Sequence, residues 1–343
     1  MVKICFVLPS FSKKTSPVEG ILLIIKHLST KYNVCIIGLN DSNNIKIKDI
    51  SFIGLKNKFY FEKLNKIKEI DADIYISSLV QGDFICSFIK KRKISLIRSD
   101  ILKNYTFDKG FLVGILLYLV HCISLKSFDK VLVLTKQNAR RLLFNKKKQL
   151  IVIRNFFHEN FLSKSDVKAD NKILKILFAG HLSKRKGIYN LIKVINNLKK
   201  SGYKIQLVVL GEGILKEKLN NYVKQNNLSN NIKIKGYVKN TAEYILDCHY
   251  TILPSFSEGI SRFVMESIFL GKKVIVRKTS GIEEVINEKH SYFFNTDHDL
   301  ETLLKSMINS KSFLSDPCIE YPKTLRKNTN LNKIERLILK NAK

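Results

Sequence analysis

Two glutamates eight positions apart, Glu258 and Glu266, are the residues of this 343-residue chain best placed for chemistry. They lie in the run LPSFSEGISRFVMESIFLGKKVIV, which starts at Leu253. Its apolar spacing predicts a helix over Arg262–Leu270 that stops at Gly271. Eight residues make about two helical turns, so the two carboxylates need not share a role. Glu258 would stand in a loop at the helix start, beside free amides that could hold a phosphate or a sugar hydroxyl. Glu266 would project from the helix among Met265, Ile268, Phe269 and Leu270. A glutamate in such company needs a hydrogen-bond partner. A ribose diol would serve, and so would an ion pair with a nearby lysine.

Three glycine-containing segments belong with this pair. Gly180-His181-Leu182-Ser183-Lys184-Arg185-Lys186-Gly187 follows a strand pattern and opens a helical one. A glycine at a strand exit lets a ligand approach the backbone, and a basic cluster before free helix-start amides suits a diphosphate. A plain basic loop would read the same way. Leu210-Gly211-Glu212-Gly213 and Lys235-Gly236-Tyr237-Val238 also follow strand patterns; each alone is only a turn signal.

The elements that must position these residues form two series. Short Ile/Val-rich runs at Lys3–Leu8, Asn33–Leu39, Asp73–Ser78, Ile94–Arg98, Lys130–Leu134 and Leu150–Ile153 read as buried parallel strands, with a helix over Val18–Ser29. Asn155–Asn171 is polar and aperiodic. The rhythm resumes with strands at Ile173–Ala179, Lys204–Leu210, Ile232–Lys235, Tyr250–Leu253 and Lys273–Val276, and helices at Ile188–Lys200 and Lys216–Gln225. The expectation is an α/β protein with two doubly wound domains. Residues 1–155 form the first, 156–171 a linker and 172–310 the second. The tail 311–343 ends in a helix over Leu331–Asn341 that could pack back on the first domain. A chain of this length can bury two cores, and two such halves joined once imply a cleft for ligands.

The formal charge is +31, with about +17 before residue 156 and about +14 after it. Such a field gathers anions. No nucleic-acid module signature is present, so an anionic membrane face or phosphorylated substrates are the expected partners, with a merely solvated basic surface as the alternative. Phe111–Leu125 is apolar but shorter than the ~20 residues that span a bilayer. It reads either as a helix lying in the membrane interface between Lys103, Lys109, Lys126 and Lys130, or as a buried helix. None of the six cysteines forms a C-x-x-C pair, and Met1-Val2-Lys3-Ile4 opens no signal peptide, so a reducing cytoplasm is expected. The seven histidines lack metal-ligand spacing, and Asp71-Ala72-Asp73 reads as a strand opening rather than a metal motif. The first strand is followed by Pro9-Ser10-Phe11-Ser12, not by the glycine fingerprint of nicotinamide enzymes.

Taken together, these segments resemble the nucleotide-sugar domain of family-4 retaining glycosyltransferases, which have the GT-B fold of two Rossmann-like domains. Glu258 and Glu266 match that family's E-x₇-E motif in register. Leu253-Pro254-Ser255 before it, Gly271–Ile275 after it and Ser280-Gly281-Ile282-Glu283-Glu284-Val285-Ile286 match as well. Glu258-Gly259-Ile260-Ser261-Arg262 is closest to members of surface-polysaccharide clusters. Ser127–Val131 and Val152–Asn155 carry a looser match in the first half.

The resemblance implies that Lys186 pairs with the donor diphosphate, and that Glu258, Lys186 and Arg262 serve catalysis. Glu258, with Gly259, Ile260 and Ser261 beside it, would lie at the transferred sugar. Glu266 would hold the ribose. Gly180 and Gly211 would line the donor, and Gly236, Tyr237 and Val238 would meet the base. His181 stands where the family has an arginine, so Arg185 or Arg262 would supply the second cation. Gly20 keeps one of two glycines found after the first strand in relatives. Glu19, Arg98 and Asp100 are the acceptor candidates. The implied activity is transfer of a hexose or N-acetylhexosamine from a nucleotide sugar, UDP-linked, to a lipid-linked saccharide of O-antigen or capsule. It proceeds with retention, without a cofactor or metal, at the inner face of the membrane. A same-fold epimerase or phosphorylase and a non-enzymatic polyanion binder are the alternatives.

Overall fold

Runs such as KICFVL and IQLVVL, buried along nearly their whole length, can only be strands covered on both faces. The computed structural model describes residues 1–11, 16–43, 50–143, 149–157, 173–279, 281–314, 316–318 and 320–340, with Ser16 and Pro17 described by backbone alone. It divides into two compact units, Met1–His158 with Thr324–Lys343, and Glu159–Lys323.

Unit 1 holds β1 (Lys3–Leu8), α1 (Ser16–Ser29), β2 (Asn33–Gly38), β3 (Ser51–Gly54), α2 (Tyr60–Glu69), β4 (Ile74–Ser77), α3 (Leu79–Cys86), β5 (Arg92–Ile97), α4 (Ile101–Lys109), α5 (Phe111–Leu125), β6 (Lys130–Val133), α6 (Lys136–Arg140) and β7 (Leu150–Val152). All seven strands are parallel, in the order β3-β2-β1-β4-β5-β6-β7. Unit 2 holds β8 (Leu174–Ala179), α7 (Ile188–Lys200), β9 (Ile205–Leu210), α8 (Lys216–Gln225), β10 (Ile232–Gly236), α9 (Ala242–Leu246), β11 (Tyr250–Leu253), α10 (Arg262–Phe269), β12 (Val274–Arg277), β13 (Ser291–Phe294) and α11 (Asp297–Ser310). Its six parallel strands run β10-β9-β8-β11-β12-β13. Counted within each unit, both orders begin 3-2-1-4-5-6, the doubly wound order whose reversal beside the first strand opens a binding crevice at the carboxyl ends.

The last helix, α12 (Lys327–Leu339), belongs to unit 1. Leu331, Ile334 and Ile338 enter the core made by Ile21, Ile24 and Ile25 of α1. Glu335 accepts hydrogen bonds from Lys31 (3.0 Å) and Tyr32 (3.1 Å) and lies 2.8 Å from His27. Phe156 and Phe157, at the start of the polar stretch read as a linker, are buried, Phe156 in that same core. Residues 158–171, the rest of that stretch, lie outside the described residues.

Helices α2 to α5 cover the opposite face of the sheet, with Leu64, Ile67, Ile85, Ile101, Tyr118 and Leu125 turned inward. Here α5 is neither fully buried nor free. Tyr118, His121, Cys122 and Leu125 are buried, while Phe111, Leu112, Val113, Leu116 and Ile123 are exposed, Leu112 at 81%. The inward face is polar where it meets Asp83 of α3. Asp83 is fully buried and accepts from Ser77 (2.5 Å) and Ser95 (2.9 Å), and its Oδ2 lies 2.6 Å from His121 Nε2. Tyr105 of α4 closes the chain at 2.7 Å from His121 Nδ1. This network ties three helices to two strands, and its partners are too far apart in sequence to be foreseen.

A buried carboxylate removed from such a network leaves several polar groups unpaired. Asp83→Ala should therefore lower the unfolding free energy by about 3 kcal/mol, read from denaturant midpoints. An unchanged midpoint would mean the network contributes nothing to the packing of α3 and α5.

Candidate functional site

In unit 2 the four loops singled out from sequence leave the carboxyl ends of four adjacent strands: β10, β9, β8 and β11. Backbone hydrogen bonds join them. Gly180 N donates to Leu210 O at 3.0 Å, Gly211 N to Gly236 O at 2.7 Å, Leu182 N to Glu212 O at 2.8 Å and Phe256 N to Arg185 O at 2.9 Å. Gly211 is thus a junction between β8, β9 and β10.

The basic segment does not run straight into its helix. Lys184–Lys186 form a 3₁₀ turn, and Gly187 then turns left-handed (φ 67°) before α7 begins. Any Cβ at Gly187 would meet Pro254 O at 2.2 Å, so only glycine lets the start of α7 approach the loop after β11. That approach brings Lys186 to Glu258. Lys186 Nζ and Glu258 Oε1 form a short ion pair, with Glu258 8% exposed. Arg185 Nη1 donates to Ser257 O at 2.8 Å. The pair lies at the switch point, between β8 and β11. Burial pushes the Glu258 carboxyl up, but Lys186 and Arg185 together outweigh it and hold it below the ordinary carboxylate range.

Glu258 stands in the loop that leads into the helix, as the sequence suggested. Ser261 is the N-cap of α10, so Glu258 stands in the loop three residues earlier, with Gly259 and Ile260 buried beside it. Glu266, 6% exposed, projects from α10. Its Oε1 is 2.8 Å from Arg262 Nε one turn earlier, and its Oε2 accepts from Thr241 Oγ1 at 3.0 Å. The partner is therefore neither a lysine nor left open. Burial raises its carboxyl pKa, and Arg262 and Thr241 offset only part of that rise. Arg262 pairs with Glu266, and Lys186 and Arg185 are the cations whose charge acts on Glu258.

Tyr237 is 68% exposed, and its amide donates to Glu212 Oε1 at 3.3 Å; Val238 is half-buried and His181 exposed. At Gly180 an added Cβ would meet nothing closer than 3.5 Å. The fold itself does not demand glycine there, so the open space is available to a ligand. Two contributors escaped the sequence reading. One is Thr241, at the start of a five-residue helix without an amphipathic pattern. The other is Arg277, buried between the rings of Phe256 (4.6 Å) and Phe294 (4.8 Å), whose Nε donates to Pro254 O at 3.1 Å. Arg277 holds the loop that carries Glu258; its position inside an apolar strand was the one available signal.

In unit 1, Arg98 follows β5 and its guanidinium lies over Gly20, where an added Cβ would meet Arg98 Nη2 at 2.4 Å. It donates to Asn155 and has no acid partner among the described residues, and burial lowers its pKa to about 10. Glu19 is half-buried in the first turn of α1. Asp100 differs from expectation. It is buried, caps α4 by accepting from Lys103 N at 3.2 Å, and pairs with Arg141, so it belongs to the scaffold. Asp71 and Asp73 are likewise engaged, Asp71 with Lys91 (3.0 Å) and Asp73 with the amide of Lys3 (2.8 Å).

Two doubly wound parallel units, with clustered loops at the carboxyl edge of the second, define a GT-B architecture, and comparison with solved structures bears this out. The crystal structure of Anabaena HepE in complex with UDP superposes with a TM-score of 0.78 over 99% of this chain and 100% of that one, at 15% identity. The family model of glycosyl transferases group 1 matches residues 160–331, half of the chain, and the chain belongs to that family. The Escherichia coli O-antigen biosynthesis glycosyltransferase WclY is 28% identical over 287 residues, 80% of this chain and 79% of the relative. A Campylobacter jejuni N-acetylgalactosaminyltransferase, named for a diphospho-undecaprenol acceptor, is 32% identical over 114 residues, a third of this chain and 30% of its own length.

The two glutamates should respond oppositely to pH. Glu258, with its depressed pKa, contributes stability that is complete above the ordinary carboxylate range and is lost as pH falls through it. Glu266, with its raised pKa, favours folding while protonated and loses that contribution as pH rises through its folded pKa. Glu258→Gln should flatten the fall of thermal stability below about pH 5. Glu266→Gln should leave that acid-side fall in place. Identical pH profiles for the two variants would contradict the assignment.

Proposed function

We propose that this chain transfers a hexose or N-acetylhexosamine from a UDP-sugar to a hydroxyl of a lipid-linked saccharide, in assembly of a bacterial O-antigen or capsule. The observation that carries the reading is the Lys186–Glu258 pair at the switch point, with Glu266 eight residues later on α10. Lys186 and Arg185 present positive charge where a leaving diphosphate would develop negative charge, the electrostatic help that such a displacement needs. Arrival of the diphosphate would draw Lys186 away from Glu258 and free that carboxylate for the sugar hydroxyls. Glu266, held by Thr241 and Arg262, would accept from the ribose. Family-4 kinship, which implies retention and no metal, is part of the same proposal, and Arg98 with Glu19 is its acceptor wall. HepE, bound to UDP, supports the choice of nucleotide. WclY and the Campylobacter transferase support a surface-polysaccharide acceptor carried on a lipid.

No described helix is long and apolar enough to cross a membrane. The outer face of α5, with exposed Phe111, Leu112 and Leu116 near Lys103 and Lys109, would instead rest on an anionic inner leaflet. The chain would then work as a peripheral cytoplasmic protein. Phe111→Ser with Leu112→Ser should reduce sedimentation with phosphatidylglycerol vesicles and leave turnover of a soluble acceptor analogue unchanged. Undiminished vesicle binding would remove α5 from the membrane contact.

The test of the activity is a panel of UDP- and GDP-sugars with donor consumption as readout. One UDP-sugar should be turned over, and Lys186→Ala and Glu258→Gln should each lower kcat/KM by ~10²–10³ with folding preserved. Failure to bind any nucleotide sugar would defeat the proposal. Turnover that needs orthophosphate, or that yields an epimeric donor, would replace it with the phosphorylase or epimerase reading.

A further inference from the structure

At the amino-terminal edge of the unit 1 sheet, Lys90 to Lys93, Lys130 and Lys340 line a single 710 Å³ cavity. Arg92 opens β5 and Lys130 opens β6, while Arg98 follows the other end of β5. Six residues of strand separate Arg92 from Arg98, about 20 Å, so this basic cavity is remote from the residues proposed for the acceptor.

The charges in it are poorly balanced. Asp129, whose Oδ2 accepts from the amide of Lys93 at 2.7 Å and whose charge acts on the Lys93 ammonium, is the one carboxylate among the described residues that line it. Lys91 pairs with Asp71 at 3.0 Å. Lys90 and Lys340 are exposed and have no acid partner among the described residues. Lys93 is 6% exposed, and its ammonium donates to Ile89 O at 2.5 Å.

Arg92 is the most informative member. Its Nη2 donates to two carbonyls at the end of α12, Leu337 O at 3.2 Å and Lys340 O at 2.6 Å. Those bonds fix the plane of the guanidinium. Its Nη1 is buried and has no hydrogen-bond partner. A buried donor of a charged group is rarely left unpaired, and with Nη2 held by carbonyls the guanidinium has Nη1 left to donate to a single oxyanion oxygen. Cations gathered in one recess repel each other unless an anion joins them.

We propose that this cavity is an anion site for a phosphate-bearing ligand, separate from the donor and acceptor sites and built around Arg92. Its phosphate could come from a lipid headgroup or from a soluble phosphate compound, and the same cations would hold either. Lys90 and Lys91, just before β5, follow closely on Phe88, whose half-exposed ring packs with Tyr60 (6.2 Å) and Phe84 (5.4 Å).

The test compares wild type with Lys90→Glu/Lys340→Glu. Both side chains are exposed, so the variant should fold. Two probes are used: inorganic pyrophosphate, followed by calorimetry, and vesicles of phosphatidylglycerol against vesicles of phosphatidylcholine, followed by sedimentation. The variant should lose affinity by about tenfold for at least one probe. Loss for pyrophosphate alone assigns the site to a soluble phosphate, loss for phosphatidylglycerol alone to a headgroup, and loss for both to the phosphate group itself. Lys186→Ala should leave this component of pyrophosphate binding in place, and Lys90→Glu/Lys340→Glu should keep wild-type turnover of a soluble acceptor. These readouts separate the cavity from the donor site, whatever the fate of the proposed activity. Equal binding of both probes by wild type and Lys90→Glu/Lys340→Glu, or no binding by wild type, would overturn the proposal.

Discussion

A lysine and a glutamate buried against each other at the switch point of a parallel sheet set the terms for the rest of unit 2. Burying either charge alone would be costly. Lys186 and Glu258 therefore depend on each other, and through them the loop after β8 depends on the loop after β11. Several features that look independent serve that contact. Gly187 lets the two loops approach, Arg185 ties its own loop to Ser257, and Arg277 clamps Pro254 from below. The same contact is one that a diphosphate could enter, because a phosphate oxygen offers Lys186 what the Glu258 carboxylate does.

Glu258 and Glu266 differ in environment more than in sequence. Glu258 sits among cations in a loop, and its carboxyl is held low. Glu266 sits in a helix wall with one arginine and one hydroxyl, and burial keeps its carboxyl high. Their partners differ accordingly, Lys186 for Glu258 in the loop and Arg262 with Thr241 for Glu266 on the helix.

Much of this was legible from the sequence, for identifiable reasons. Buried parallel strands read as unbroken apolar runs, so β1, β8 and β9 could be placed within about a residue. The glutamate pair and the glycine-flanked basic loop stand out because an apolar context does not otherwise need them. What escaped depended on partners brought together from afar or on elements too short to carry a period. β3 and β13 are four-residue edge strands, and α9 is a five-residue helix. Thr241 reaches Glu266 across 25 positions, and His121 reaches Asp83 across 38. Asp100 misled because a helix cap and a substrate contact use the same residue type.

The most direct measurement is a crystal structure of the full chain with UDP. The account predicts the diphosphate at Lys186 with the Lys186–Glu258 contact opened, and the ribose hydroxyls at Glu266. UDP bound away from the carboxyl edge of β8 and β11, or bound there with the lysine–glutamate pair intact and Glu266 untouched, would contradict it.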